Sequence, residues 1–151
     1  RRESNIAIGQ NAGKDDLIRS GNQHSALDRK TILVVEDISS NYLLISAMLS
    51  KHYNLLHAVN GEQAVAMVKE YKIDLLLMDM KMPVMDGLTA TAEIRKFDTN
   101  IPIVALTAHA FESDKVAALK SGCNDYLVKP VDKARLMSVL RKYCHPSTLV
   151  L

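Results

Sequence analysis

Ile73-Asp74-Leu75-Leu76-Leu77-Met78-Asp79 runs directly into Met80-Lys81-Met82-Pro83-Val84-Met85-Asp86-Gly87. The unbroken apolar run Leu75 to Met78, with Ile73 just before it, suits a strand covered on both faces, as in a parallel sheet. Asp79 closes the run, and a loop punctuated by Pro83 and Asp86-Gly87 follows at once. In open α/β sheets ligands bind beyond the carboxyl ends of the strands. A carboxylate placed there is a candidate for chemistry; the alternative is that Asp79 merely caps the next helix.

Working outward, four more apolar runs have the same character. Thr31-Ile32-Leu33-Val34-Val35 is β-branched and reads as a central strand ending in Glu36-Asp37. Asn54 to Val59 reads as a second strand, Ile103 to Thr107 as a fourth, and Asp125 to Val128 as a fifth that ends in Lys129-Pro130. Helices fit between them. One starts from an N-cap at Ser39-Ser40-Asn41 and runs to Lys51, with Leu44 and Met48 on one face. The next runs from Gly61 to Tyr71 with Ala64, Val65 and Val68 inward. A third goes from Asp86 to Phe97 with Ala90, Thr91 and Ile94 inward, and a fourth from Glu112 to a stop at Gly122. The last runs from Asp132 to Tyr143 with Leu136 and Leu140 inward. Strands alternating with helices in this way imply right-handed crossovers and a doubly wound, five-stranded parallel sheet with helices on both faces.

The chain of 151 residues is 48% hydrophobic, enough for one domain with a sizeable core. Its 19 Lys and Arg stand against 17 Asp and Glu, which offers no basic surface for nucleic acid or an anionic membrane. No direct contact with nucleic acid or membrane is expected. No apolar run approaches a membrane span, and no signal peptide is expected from these residues. Cys123 and Cys144 match no metal or redox spacing and read as reduced thiols, Cys123 the more buried. That fits a cytoplasmic domain, whose parent protein could still be membrane-anchored. Residues 1–30 carry Gly9, Gly13, Gly21 and scattered charges with no persistent period, as in a linker from an upstream domain. Residues 31–144 hold the domain and 145–151 a tail.

With strand order 2-1-3-4-5 the topological switch point falls between the first and third strands. Glu36, Asp37 and Asp79 then converge on one crevice. Each pair of like charges at about 4 Å costs about 4 kcal/mol at an effective dielectric of about 20. A hard divalent cation relieves that repulsion, and an oxygen set with few protein donors suits Mg²⁺. Lys129 adds a point positive charge and Thr107 a hydroxyl donor. Together they supply what phosphoryl transfer needs: a nucleophile, a metal, and donors for the phosphoryl oxygens.

Five segments in this order resemble the receiver domain of response regulators in two-component signalling. They are Leu33-Val34-Val35-Glu36-Asp37, Met78 to Gly87, Ala105-Leu106-Thr107-Ala108, Gly122-Cys123-Asn124-Asp125-Tyr126, and Lys129-Pro130. The resemblance covers residues 30 to 144 and implies the flavodoxin-like receiver fold. It implies that Asp79 accepts a phosphoryl group from a phosphohistidine. Glu36, Asp37, Asp79 and the Lys81 carbonyl would hold Mg²⁺, while Thr107 and Lys129 bind the phosphoryl group. Tyr126 is similar to the aromatic that follows Thr107 in the switch, and Met80, Ala108 and His109 would rim the pocket. The Lys129–Pro130 peptide should be cis. Glu36 stands where many members carry Asp. Catalysis would extend only to the domain's own phosphorylation and dephosphorylation. The arrangement is similar to the C-terminal receiver of a hybrid sensor histidine kinase. Its partner would be a histidine kinase dimerisation domain or a histidine phosphotransfer protein.

Two other functions remain open on the residues. An aspartate-nucleophile phosphatase of the haloacid dehalogenase type also places Asp after a strand, but it resembles Asp-x-Asp, and Lys81 occupies the second place here. A pseudo-receiver would bind partners without phosphorylation, but it would be expected to lack Asp79 or Lys129. The histidines His24, His52, His57, His109 and His145 have no ligand spacing. Met80, Met82 and Met85 read as loop and core packing.

Overall fold

A computed structural model describes residues 29–145 of the chain. The order of elements is β1 (Thr31–Val35), α1 (Ser39–Leu49), β2 (Asn54–Ala58), α2 (Gly61–Glu70), β3 (Leu75–Asp79), α3 (Gly87–Arg95), β4 (Ile103–Thr107), α4 (Glu112–Ser121), β5 (Asp125–Val128) and α5 (Lys133–Tyr143). All neighbouring strands pair in parallel, in the order β2-β1-β3-β4-β5. This is the expected doubly wound sheet. The proposed linker and tail fall outside the described residues, apart from their innermost positions.

The strand period of two divides the core into two layers. Ile32, Val34, Leu75, Leu77, Val104 and Leu106 pack with Ile45 and Leu49 of α1 and Leu136 and Leu140 of α5. Leu33, Val35, Leu76, Met78, Ile103 and Ala105 face the other way, onto Ala64 of α2, Ala90 and Ile94 of α3, and Ala118 of α4. Both faces of β1, β3 and β4 are therefore covered, and this explains why their sequences run apolar without alternation.

Several local expectations needed adjustment. In α1 the buried residues are Ile45 and Leu49, whereas Leu44 is 51% exposed. The i, i+4 pair was right in spacing and one residue out of phase, because a helix with apolar residues on all sides gives its sequence no unique inner face. No side chain caps α1. Asn41 instead donates to Glu36 Oε2 at 3.3 Å. The second strand stops at Ala58, and the Val59 N–H turns to the Gln63 side chain at 2.8 Å. The third begins at Leu75, as the apolar run indicates, and Asp74 just before it exchanges hydrogen bonds with Thr31, its N–H donating to the Thr31 carbonyl and its carboxylate accepting from the Thr31 N–H, each at 2.8 Å. Cys144 is as buried as Cys123. The other caps are ordinary ones not named from the sequence: Asn60, Asp86 and Asp132 each accept from the N–H three residues on. Gly122 closes α4 at φ 117°.

Candidate functional site

The carboxyl ends of β1 and β3 adjoin at the switch point, and a side chain from the end of β5 reaches across to them. Glu36 follows β1 and is fully buried. Its backbone N–H donates to the Ala58 carbonyl at 3.0 Å, the last rung toward β2. Its Oε2 accepts from the Ile38 N–H and from Asn41 Nδ2. Its Oε1 lies 3.2 Å from Lys129 Nζ, within ion-pair range but without the alignment of a hydrogen bond. Burial, and then the negative charge of Asp79, hold the Glu36 carboxyl above the usual carboxylate range; Lys129 offsets part of this.

Asp79 ends β3 and is 4% exposed. Its Oδ1 accepts from the Lys81 N–H at 3.1 Å, and its Oδ2 accepts from Lys129 Nζ at 3.0 Å. It does not cap α3: Asp86 does that, through the Thr89 N–H at 2.8 Å. Glu36, Asp37 and Asp79 each offer a carboxylate oxygen, and these oxygens lie within 4.8 Å of one another. Asp37 Oδ1 is buried with no hydrogen-bond partner.

Lys129 reaches this cluster from the end of β5. Its N–H is tied to the Thr107 carbonyl at 2.8 Å, and the following peptide to Pro130 is cis, as expected. Burial opposes the charge on Lys129, but the hydrogen bond and charge of Asp79, with the charge of Glu36, outweigh it and raise its pKa. The ammonium is therefore a fixed cation facing two of the three carboxylates.

The remaining predicted residues stand one layer outward. Met80, Lys81, Thr107, Ala108 and His109 line one cavity of about 300 Å³, together with Met82, Asp86, Leu88, Asp114 and Ala117. Asp79 is not in its wall, although the next two residues are. The Thr107 hydroxyl donates to the His109 carbonyl at 2.9 Å, so its proton is engaged with its own loop rather than with the carboxylates. The His109 ring stacks on Phe111 at 4.9 Å. Tyr126 is half-buried, with Lys115 Nζ 4.9 Å from its ring centre.

The loop from Asp79 to Gly87 is held in an unusual shape. Val84 has φ 69°, and the Met85 N–H bonds back to the Pro83 carbonyl at 2.7 Å. This is a tight γ-turn around a β-branched residue with positive φ, a costly conformation. Gly87 lets the loop close on itself: a Cβ there would strike the Asp79 carbonyl oxygen and Met80.

Sequence reasoning missed two supports of Glu36. The sequence reads Asn41 as part of a helix N-cap and gives His57 no ligand spacing. Yet His57 Nε2 lies 2.8 Å from the Glu36 carbonyl, and its ring stacks on Tyr42 with centroids 3.9 Å apart. Nothing in the local pattern of either residue announced this, since both contacts cross between elements.

Known proteins share this fold and much of its sequence. The family described as response regulator receiver domain matches residues 32–141. Hybrid signal transduction histidine kinase M of Dictyostelium discoideum is 41% identical over 119 residues, which is 74% of this chain and 5% of that protein. The chain thus spans a small part of such relatives' length. Among solved structures, the receiver domain of sensor histidine kinase PA1611 from Pseudomonas aeruginosa, with a magnesium ion coordinated in its active-site cleft, is 40% identical. It superposes with a TM-score of 0.71 over 76% of this chain and 96% of that one. The receiver domain of Ssk1 from Saccharomyces cerevisiae, crystallised with the histidine phosphotransfer protein Ypd1, gives 34% identity and a TM-score of 0.75. That match covers 82% of this chain and 94% of that one.

Proposed function

We propose that this chain, which belongs to the response regulator receiver domain family, takes a phosphoryl group onto Asp79 from a phosphohistidine on a partner. The observation that carries this is the Lys129 ammonium 3.0 Å from an Asp79 oxygen, inside a cluster of three carboxylates. Three negative charges and one positive charge leave a net deficit of positive charge where a phosphoryl group would arrive.

The residues fit a hard divalent cation. Asp37 Oδ1 is buried without a partner, and Glu36 Oε1 lacks an aligned one; these are the oxygens a cation would satisfy. Glu36, Asp37, Asp79 and the Lys81 carbonyl would hold Mg²⁺. When bound, it would neutralise charge on the phosphoryl oxygens.

The protein's own groups have separable tasks. An Asp79 oxygen attacks phosphorus in line as the P–N bond of the phosphohistidine breaks. The P–O bond forms on Asp79, and the imidazole leaves with the bonding pair and takes up a proton. Lys129 releases the Asp79 oxygen and stabilises the arriving negative charge. The Thr107 hydroxyl leaves the His109 carbonyl and donates to a phosphoryl oxygen. Tyr126 then turns inward, changing the face formed by α4 and β5.

The same reading treats residues 31–144 as the receiver unit, joined through residues 1–30 to the rest of a hybrid sensor kinase. Its partner is a histidine kinase dimerisation domain or a histidine phosphotransfer protein. Likeness to a hybrid kinase and to a receiver crystallised with a phosphotransfer protein supports both assignments. A cytoplasmic location is supported by two free, buried cysteines, and no helix among the described residues is long and apolar enough to cross a membrane.

The test is mass spectrometry after incubation with acetyl phosphate. The chain should gain one phosphoryl group with Mg²⁺ and none with EDTA, and Asp79→Asn should gain none. A Mg²⁺-independent gain, or an unaltered gain in Asp79→Asn, rejects the assignment.

A further inference from the structure

We propose that His57, braced by Tyr42, is a positioning residue for the metal-binding turn. The inference rests on the reading of Glu36 and Asp37 as Mg²⁺ ligands.

The Glu36 carbonyl belongs to the peptide that joins Glu36 to Asp37. That peptide is planar, so fixing the direction of its C=O fixes the plane from which Asp37 departs. The carbonyl has left the sheet ladder: the last rung between β1 and β2 here is Glu36 N–H to the Ala58 carbonyl. His57, on β2, supplies the missing partner at 2.8 Å. A carbonyl oxygen only accepts, so Nε2 must carry the proton.

Tyr42 fixes the ring itself. The two rings lie 4° from parallel with centroids 3.9 Å apart, which places the imidazole between β2 and the first turns of α1. Asn41, the residue before Tyr42, binds Glu36 Oε2. The start of α1 thus holds the Glu36 carboxylate directly and its carbonyl through the ring pair. With the backbone and Oε2 of Glu36 engaged, Oε1 remains without an aligned hydrogen bond, 3.2 Å from Lys129 Nζ, and Asp37 Oδ1 is likewise unpartnered. Outer groups that orient ligands in this way typically change metal affinity by about tenfold or more.

The test uses the full chain. Calorimetric titration with Mg²⁺ should show about tenfold weaker binding for His57→Phe, which keeps the stack and loses the donor. His57→Gln, which restores an N–H donor, should recover most of that loss. Tyr42→Ala, which removes the stack, should weaken binding in the same direction as His57→Phe, and an unchanged affinity would remove Tyr42 from the proposal. Melting in EDTA separates positioning from general support: His57→Phe should lose affinity out of proportion to any fall in melting temperature. Long-range ¹H–¹⁵N spectra of the parent supply a measurement that needs no variant, and Nε2 should be protonated. A parent that binds Mg²⁺ with His57→Phe unchanged overturns this inference alone, as does an Nδ1–H tautomer. A parent that binds no Mg²⁺ overturns the metal reading, and this inference with it.

Discussion

Lys129 Nζ stands 3.0 Å from Asp79 Oδ2, although the two residues are 50 positions apart in the chain. The same nitrogen lies 3.2 Å from Glu36 Oε1. One cation therefore answers two buried carboxylates, with the third, Asp37, close by. The pocket is under-compensated, and that imbalance makes it receptive to a divalent cation.

Replacing Asp79 with Asn keeps the shape and removes one charge from the cluster. It forfeits an ion pair with Lys129 but relieves repulsion with Glu36 and Asp37. We expect the metal-free protein to gain about 1–2 kcal/mol, a discounted share of the Coulomb repulsion. Mg²⁺ should stabilise the parent by about 2.7 kcal/mol at a hundred times its dissociation constant, and Asp79→Asn much less. Thermal melts in EDTA and in millimolar Mg²⁺ measure both effects. A variant less stable than the parent in EDTA, yet equally responsive to Mg²⁺, would contradict the crowded-pocket account.

Gly87 passes close against the Asp79 end of β3. A methyl group there meets the Asp79 carbonyl oxygen and Met80 Cα, and backbone cannot step aside cheaply. Gly87→Ala should cost about 1–3 kcal/mol by denaturant unfolding. It should also displace the amide resonances of Asp79 to Lys81. Unchanged resonances in a stable variant would show that the loop yields elsewhere.

Beryllofluoride, a phosphoryl mimic, should perturb amides across residues 107–128 as well as the metal loops. The Thr107 hydroxyl must leave the His109 carbonyl, and Tyr126 must give up its contact with the Lys115 ammonium. Shifts confined to residues 36–37 and 79–81 would reject coupling between the pocket and the face of α4 and β5.

Lys81 and His109 line the cavity beside Asp79, where an attacking water would pass. Lys81→Ala and His109→Ala should each change the rate at which phosphorylated protein loses its phosphoryl group, without abolishing its formation. Intact-mass time courses after removal of acetyl phosphate give that rate. Two unchanged rates would dismiss the idea.

Cys144 gives a pH prediction remote from the site. Burial pushes its thiol up to about 11 from an ordinary value of 9.0. Above pH 9 the unfolded chain loses this proton before the folded one does, so stability is full below pH 9 and falls as pH rises toward 11. The Tyr53 hydroxyl donates to the Cys144 carbonyl at 2.8 Å and is also shifted upward, by burial first, so it adds to the same loss. Cys144→Ala should lessen the fall in urea-derived stability between about pH 8.5 and pH 10.5 by about 1–2 kcal/mol. An identical alkaline slope in the variant would count against it.

The chain's own order of residues determined the alternation of strands and helices. Runs such as Leu75 to Met78 are too uniformly apolar for a half-exposed strand, and Asn60, Asp86, Gly122 and Asp132 punctuate the helices with local chemistry. It also determined which groups end the strands, because strand ends are legible from local composition: Glu36, Asp37, Asp79, Thr107 and Lys129. Tertiary structure alone decided what those groups touch. The inner face of α1 went to Ile45 and Leu49 rather than Leu44, since a helix apolar on all sides takes its orientation from the sheet beneath it. The Thr107 hydroxyl settled on the His109 carbonyl, and Lys129 divided its charge between Glu36 and Asp79. His57 and Asn41 became supports of Glu36 only because β2 and α1 lie against the end of β1. Such contacts depend on distances set by packing between elements, and no spacing along the chain encodes them.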